Sequence, residues 1–181
     1  MAVVINGNGA VTGLTALPDS AMATGSVIQV KQTVKTDTFS TTSTSLVDVT
    51  GLSVSITPSS SSNKILILIQ CAVISGDAGS GLSIVRDSTV LYQADSAGSR
   101  KIYSMSGQYG ADGDNSKFSG GSNFCCFLDS PSTTSATTYK VQISGRSSET
   151  TGVGFRTYDD NNSNASREPS SITVMEVSAW V

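Results

Sequence analysis

The apolar residues of this chain occur in short runs, many of which alternate with hydroxyl-bearing residues. In the stretch from Gly51 to Thr57, Leu52, Val54 and Ile56 occupy every second position. A β-strand points successive side chains to opposite faces, so this stretch predicts a half-buried strand. No run of any length has the period of about 3.6 residues that a helix requires. The chain is therefore predicted to be all-β, an antiparallel β-sandwich of the jelly-roll type.

Further strands are predicted wherever a similar run lies between turn-forming residues. They are Val27 to Val34, Lys64 to Ile74, Leu82 to Arg86, Val90 to Gln93, Ile102 to Met105, Phe124 to Leu128, Thr138 to Ile143, Val153 to Thr157 and Ser171 to Val177. The stretch from Arg86 to Val90 predicts a hairpin with Asp87 and Ser88 at its turn.

Two of the predicted strands are apolar on both faces. Ile65 to Ile69 contains only isoleucine and leucine. The other strand places Phe124, Cys126 and Leu128 on one side, with Cys125 and Phe127 on the other. In an antiparallel sheet, a second apolar face requires a cover of its own. A neighbouring subunit is the simplest cover and predicts a homo-oligomer, although a thick sandwich or a packed N-terminal arm would serve equally.

The 181 residues have room for one domain of ordinary size and a short arm. Glycine and proline interrupt residues 1–25 too often for a long regular element, so we expect an extended N-terminal arm that becomes ordered on a partner. The predicted domains are this attachment arm, residues 1–25, and the β-sandwich, residues 26–181. The first residues lack the basic and long apolar stretches of a secretion signal, from which we expect assembly in a cytoplasm.

The chain contains no histidine, so it lacks an imidazole base for a serine or cysteine nucleophile and an imidazole metal ligand. Its net charge of -3 and scattered basic residues differ from the clustered positive footprint of a nucleic-acid binder. No apolar run is long enough to cross a membrane. We therefore expect no enzymatic activity, no cofactor, no nucleic-acid partner and no membrane insertion.

The three cysteines, Cys71, Cys125 and Cys126, are too few and too unevenly spaced for a disulfide framework or a zinc site. We expect them to be reduced and buried.

Two long loops, Gly107 to Gly121 and Tyr158 to Pro169, are the candidate recognition surface, because loops of this length in a compact domain are usually functional or flexible. Their carboxylates and amides could hold Ca²⁺, but they lack the ligand spacing of an EF-hand, and neighbours in one loop lack the separation of a glycosidase pair. Exposed tyrosine beside asparagine and aspartate is typical of sugar-binding or protein-binding surfaces. The candidate residues are Tyr109, Asp112, Asp114, Asn115, Tyr158, Asp159 and Asn161.

Four segments together carry a family resemblance: Val11 to Val30, Ser61 to Leu66, Phe127 to Pro131 and Ser171 to Val177. As a set they resemble virion structural and fibre-like proteins of tailed bacteriophages, especially phages of marine bacteria and cyanobacteria. The chain departs from that pattern between residues 75 and 124 and between residues 144 and 168. The resemblance implies a trimeric, β-rich particle protein with variable outward loops.

The expected function is that of a non-enzymatic virion protein: a short fibre, spike or fibre tip. It would attach to other virion proteins through residues 1–25 and present its loops to a host-surface glycan or protein. A capsid decoration protein is the alternative within the virion, because the resemblance does not specify a place in the particle. A free carbohydrate-binding module would share the sandwich and the loop aromatics; a secretion signal and an exposed aromatic platform would favour it, and the first is absent. A depolymerase would require a cleft with separated carboxylates.

Overall fold

The structure, a computed structural model, describes residues 4–5, 11–12, 22–75, 80–106, 121–146, 148, 150–156, 161, 163 and 166–179. Every regular element in these ranges is a β-strand, which confirms the all-β prediction. No helix in the described ranges is long and apolar enough to span a membrane. The strands are β1 Val4–Ile5, β2 Val11–Thr12, β3 Val27–Lys35, β4 Phe39–Thr41, β5 Val47–Ile56, β6 Lys64–Ser75, β7 Ser80–Arg86, β8 Thr89–Leu91, β9 Met105–Ser106, β10 Gly121–Asp129, β11 Thr137–Gly145, β12 Thr151–Val153, β13 Phe155–Arg156, β14 Ser166–Arg167 and β15 Ser170–Val177.

The longer strands form two antiparallel sheets, which we call sheet I and sheet II. Sheet I has the order β3-β15-β6-β12-β4, and β10 pairs with β6 as well. Both β15 and β10 pair with the first half of β6, so they lie along its opposite edges. Sheet II has the order β5-β11-β7-β8, with β9 also paired to β7. Two small pairs, β1 with β2 and β13 with β14, are separate from both sheets.

The hydrophobic core lies between the two sheets, and alternate residues of both sheets contribute to it. The buried side chains include Leu52, Val54 and Ile56 of β5, Ile65, Ile67 and Ile69 of β6, and Val141 and Ile143 of β11. The alternation in β5 therefore has the core-facing side that the sequence predicted. Burying one such aliphatic side chain stabilises the fold by about 1.5–3 kcal/mol, so these alternating runs hold the sheets together.

The hairpin between β7 and β8 turns at Asp87 and Ser88, as predicted. Asp87 has a φ of 53°, a left-handed conformation that aspartate tolerates better than most residues. Its Oδ1 accepts a hydrogen bond from the backbone N of Thr138 at 2.9 Å, and its own backbone N donates to the Thr138 carbonyl at 2.8 Å. These bonds fix the turn against β11.

Tyr103 lies outside a strand, contrary to the strand predicted for Ile102 to Met105, of which only Met105 belongs to β9. Its ring lies directly over Gly81, where a Cβ would overlap it, and its hydroxyl is 2.8 Å from Ser144 Oγ.

A buried carboxylate ties the end of β15 to its neighbours. Glu176 is fully buried, and its Oε1 accepts hydrogen bonds from Ser59 N, Ser59 Oγ and Asn63 Nδ2, each at 2.7 Å. Its Oε2 accepts from Gln29 Nε2. Burial alone would raise the pKa of Glu176, but the bonds from Asn63, Gln29 and Ser59 outweigh it and lower that pKa. Neutral donors therefore keep this buried group ionised.

A second polar cluster joins the two sheets. Asp129, at the end of β10, lies 2.7 Å from Arg86 Nη1 on β7, and it accepts a hydrogen bond from Tyr139 Oη on β11 at 2.7 Å. Burial raises the pKa of Tyr139, and the bond to Asp129 raises it further, so the phenol remains a donor. Since both sheets contribute, this cluster fixes the position of β10 against sheet II.

Candidate interaction surface

The outer face of sheet I, the side away from the core, is built by β3, β15, β6 and β10. Antiparallel pairing aligns its side chains in three rows across the four strands. The rows are Val30, Met175, Leu66 and Leu128; Gln32, Thr173, Leu68 and Cys126; and Val34, Ser171, Gln70 and Phe124. We call these side chains, with Val27 at the start of β3, the apolar face.

The largest apolar side chains of this face are open to solvent. Phe124 is 68% exposed, Leu128 47%, Val30 53%, Val34 52% and Val27 48%. Together they leave roughly 500 Å² of apolar surface in contact with water. This area is comparable to the largest apolar patch of a typical soluble monomer, about 300–600 Å². Such patches are often functional, so this face is the candidate site of the described part of the chain.

None of the three rows contains a charged side chain. Their polar members are uncharged, and Gln32 Nε2 already donates to Thr173 Oγ1 at 2.8 Å. Protein interfaces are depleted of charge at their centre and keep their polar groups paired. The apolar face therefore has the composition of an interface centre.

The outer face of sheet II has the opposite character. Asp48 on β5 accepts hydrogen bonds from Lys140 Nζ at 2.8 Å and Gln142 Nε2 at 2.7 Å, both on β11. The bond from Lys140 and then that from Gln142 lower the pKa of Asp48. On the same face, Ser55 Oγ is 2.8 Å from Thr138 Oγ1. These side chains satisfy one another across the strands and require no macromolecular partner.

The chain also covers part of sheet II with its own residues. Tyr103 lies on Gly81 of β7, and Lys101 Nζ donates to the carbonyls of Thr44 at 2.6 Å and Gly145 at 3.1 Å. The residues of β7 from Ser80 to Val85 are consequently buried on both faces. Sheet II thus has its own cover, whereas the side chains at the two sides of the apolar face stay exposed.

The two predicted doubly apolar strands are neighbours in the structure, since β10 pairs with β6 along nine residues. Phe124, Cys126 and Leu128 share one side of β10, as predicted, and that side is the exposed one. Cys71 and Cys125 are buried, but Cys126 is exposed, so the prediction of three buried thiols was wrong for Cys126. Burial raises the pKa of Cys71 to about 12.

Most of the predicted recognition residues lie outside the described residues: Tyr109, Asp112, Asp114, Asn115, Tyr158 and Asp159. Asn161 is described and is exposed. No group of three or more acidic or cysteine side chains that could hold a metal ion occurs in the described ranges.

The sequence did not indicate the β3 part of the face. In β3 the apolar residues Val30 and Val34 point outward, whereas Lys35 points inward, is buried and bonds Asp37 at 2.9 Å. Alternation shows which residues share a face but not which face is inward. The valines of β3, which alternate with lysine and glutamine, therefore predict a strand without showing which of its faces meets the core.

Tyr92 is a further exposed aromatic that the sequence did not single out. It is about half exposed, has a φ of 50°, and its ring centroid is 5.0 Å from that of Phe127. Phe127 packs partly against the core from β10, so Tyr92 closes the open side between β8 of sheet II and β10 of sheet I. This contact explains the exposed ring without a ligand.

No family model matches the chain, and no curated protein sequence matches it.

Proposed function

We propose that the chain is a non-enzymatic structural protein of a tailed-phage virion. It acts as a homotrimer, as a short fibre, spike or fibre tip, attached through residues 1–25 and carrying loops that contact the host surface. The observation that carries this proposal is the apolar face, because neighbouring copies would cover the apolar side chains that are exposed in the described part of the chain. The proposed location in a virion rests on the resemblance of four segments to structural proteins of phage particles.

The energetics of the face favour association. Removing roughly 500 Å² of apolar surface from water stabilises a complex by about 12 kcal/mol per chain before costs. Association costs about 4–15 kcal/mol in lost translation and rotation, so an interface of this kind is sufficient only if several such faces close together. Leu66, Leu68 and Met175, half-buried in the single chain, add to the area that a neighbour would cover.

The strand order supports a jelly roll. The chain crosses between the sheets several times: β3 and β4 lie in sheet I, β5 in sheet II, β6 in sheet I, β7 to β9 in sheet II, β10 in sheet I, β11 in sheet II, and β12 and β15 in sheet I. Connections that cross between two sheets in this way are typical of Greek-key sandwiches, which occur widely in viral particle proteins. The fold is compatible with a particle role, and the assignment to a virion depends on the experiment below.

The test of the proposal is incorporation into particles. In the phage that encodes this chain, deletion of residues 1–20 should leave a folded β domain that no longer joins virions. Replacing residues 107–121 with a short Gly/Ser linker is the matched control, because it should spare incorporation and alter only adsorption to the host. Mass spectrometry of gradient-purified particles measures both. Absence of the wild-type chain from particles contradicts the virion role, and normal incorporation of the arm-deleted chain contradicts the role of the arm.

The loops carry the proposed host contact through Tyr109, Asp112, Asp114, Asn115, Tyr158, Asp159 and Asn161. Replacing the four carboxylates Asp112, Asp114, Asp159 and Asp160 with asparagine should leave the fold intact and remove no turnover of host polysaccharide. Loss of a measurable polysaccharide cleavage in that variant would show that the chain is a depolymerase.

A further inference from the structure

We propose that sheet I transmits tension between the arm and the loops along its strands. Residues 1–25 join β3 at one end of this sheet, and residues 107–120 join β10 at the other end. A pull between the two segments shears whole strand ladders instead of opening them pair by pair. This inference rests on the proposed function, because it takes the arm as the attachment to the particle and the loops as the host contact.

The strand pairing fixes the end of sheet I from which each connection leaves. Val27, the first residue of β3, is level with Val177 of β15 and with Lys64 of β6. Gly121, the first residue of β10, pairs instead with Val73, near the other end of β6. Lys64 and Val73 are nine residues apart along β6. At about 3.3 Å per residue, the two connections leave the sheet roughly 30 Å apart and at opposite ends.

The second proposed contact loop leaves from the same end as residues 107–120. Gly154, which precedes β13, donates from its backbone N to the carbonyl of Ala72 at 3.1 Å. Glu168, which follows β14, donates from its backbone N to the carbonyl of Gly154 at 3.0 Å. The strands β13 and β14, which residues 157–165 connect, therefore lie near Ala72 of β6. Both proposed host-contact loops are thus joined to the sandwich at the end remote from the arm.

Tension between the arm and residues 107–120 acts on sheet I in shear. The strands β3, β15, β6 and β10 lie side by side in that order, and their ladders contain eight, seven and nine residue pairs. The pull acts along the strands and in opposite directions on the two outer ones, so all pairs of a ladder resist together. A pull on the two chain termini differs, because β3 begins beside the end of β15. It separates these two strands one pair at a time.

A cluster of hydrogen bonds closes the β3–β15 ladder at this vulnerable end. We call its residues, Ala23, Gly25, Ser26 and Ser178, the clamp. Ser178 is buried, and its Oγ accepts from Ser26 N at 3.2 Å and donates to the Ala23 carbonyl at 2.9 Å. Its carbonyl accepts from Gly25 N at 3.2 Å, and its N donates to the Ser26 carbonyl at 3.0 Å. These bonds must break before β3 can peel from β15, so they protect the ladder against a pull that is not directed along the strands.

The buried Glu176 extends this cluster to the turn between β5 and β6. Its carboxylate accepts from Gln29 of β3 and from Asn63 of that turn. Asn63 Oδ1 in turn accepts from the backbone N of Ala179 at 3.0 Å. The first residues of β3, the end of β15 and the start of β6 are therefore held together where the arm joins the sandwich.

Force spectroscopy of single full-length chains tests the inference through the choice of pulling points. In the first geometry, handles are attached at the N-terminus and at residue 122, in a chain that carries Ser122→Cys and Cys126→Ser. Ser122 is exposed on β10, and the two remaining native cysteines, Cys71 and Cys125, are buried. In the second geometry, the handles are attached at the N-terminus and the C-terminus. Circular dichroism confirms that the variant keeps its β signal; if it does not, the exposed Cys126 of the wild-type chain serves as the anchor on β10.

We expect the unfolding force at one loading rate to be several-fold higher in the first geometry than in the second. Forced unfolding is governed by the unfolding barrier. In the first geometry the pairs of a whole ladder must yield together, whereas in the second they yield in succession. Equal forces, or a lower force between the N-terminus and residue 122, would overturn the transmission of tension along the strands.

The variant Ser178→Ala tests the clamp in both geometries. It removes both hydrogen bonds of the hydroxyl group at the pair that opens first, so it should lower the force between the termini. It should leave the force between the N-terminus and residue 122 nearly unchanged, because the ladders carry that load. The matched control, Ser55→Ala, removes a hydroxyl contact with Thr138 in sheet II and should change neither force. An unchanged force between the termini, or an equal fall in both geometries, would overturn the role of the clamp.

These forces are measured on the purified chain, independently of its presence in particles. A chain that is missing from virions but is several-fold stronger in the first geometry refutes the proposed function and retains the mechanical property. Equal forces in a chain that is found in virions refute the transmission of tension and retain the proposed function.

Discussion

Glu176 offers a sharp test of how the sandwich is held together, because a fully buried carboxylate here is bonded only by neutral donors. The change Glu176→Gln keeps the shape of the side chain and removes its charge. The new side-chain NH2 group donates hydrogen bonds but cannot accept one. If this NH2 group takes the place of Oε2, it faces Gln29 Nε2, which is also a donor. The hydrogen bond from Gln29 Nε2 to the carbonyl of Thr57, at 2.8 Å, holds the Gln29 amide in its orientation.

The magnitude follows from the bonds that change. One hydrogen bond to a charged acceptor, about 1.5–3 kcal/mol, is lost, and one donor is left facing another donor. The other oxygen keeps its three donors, two from Ser59 and one from Asn63, but becomes a neutral acceptor. We expect the free energy of unfolding to fall by about 3 kcal/mol at pH 7.

The pH dependence has a definite sign. The fold lowers the pKa of Glu176 from the ordinary value of 4.5, so the ionised form is the one that folding stabilises. Its contribution is complete above pH 4.5 and is lost as the pH falls through the lowered folded-state pKa. The difference in stability between the wild type and Glu176→Gln should therefore narrow on acidification below that range.

Urea unfolding followed by circular dichroism, at one chain concentration for all variants, measures the difference. The matched control is Glu168→Gln, whose hydrogen bond within the described residues is long, 3.4 Å from Ser122 Oγ, and which should change stability by less than about 0.5 kcal/mol. A loss for Glu176→Gln no larger than for this control, or a difference that widens on acidification, would refute the reasoning.

Three further outcomes are expected. Tyr139→Phe should lower the free energy of unfolding by about 1–3 kcal/mol, because a buried carboxylate loses its phenol donor; an unchanged urea midpoint would contradict this. Gly81→Ala should displace the ring of Tyr103 and lower the free energy of unfolding, and Tyr103→Ala should partly restore that loss in a double-mutant cycle. Additive effects of the two substitutions would show that residues 81 and 103 do not interact. With a thiol reagent at pH 7, Cys126 should react more slowly as the chain concentration is raised and copies associate, while Cys71, whose burial raises its pKa to about 12, stays unreacted throughout; a Cys126 rate that does not depend on concentration would argue against its burial in an assembly.

The fold class could be predicted because alternation is a local property. The runs in β5 and β6 determine which side chains share a face, and only an all-β arrangement buries both. Short strands were harder: β4, Phe39–Thr41, has a single strongly apolar residue, and its place next to β12 depends on pairing with distant residues. Such strands are set by tertiary contacts rather than by local pattern.

The candidate surface could be predicted only in part. The doubly apolar Ile65 to Ile69 and Phe124 to Leu128 indicated a second apolar face, and the structure shows it on β6 and β10. The valines of β3 gave no such signal, because the outward direction of Val30 and Val34 depends on which face of β3 packs against β5 of sheet II. The buried Glu176 gave none either, since a single glutamate in a strand looks solvent-facing until Asn63 and Ser59 are brought to it by the fold.

The central claim, that the chain is a structural protein of a virion, is tested most directly by cryo-electron microscopy of the proposed phage particle. The account predicts three copies around a common axis, with their apolar faces covered, residues 1–25 in contact with another virion protein, and residues 107–121 facing outward. Particles without density for the chain, or with single copies whose Phe124 and Val30 remain open to solvent, would contradict it.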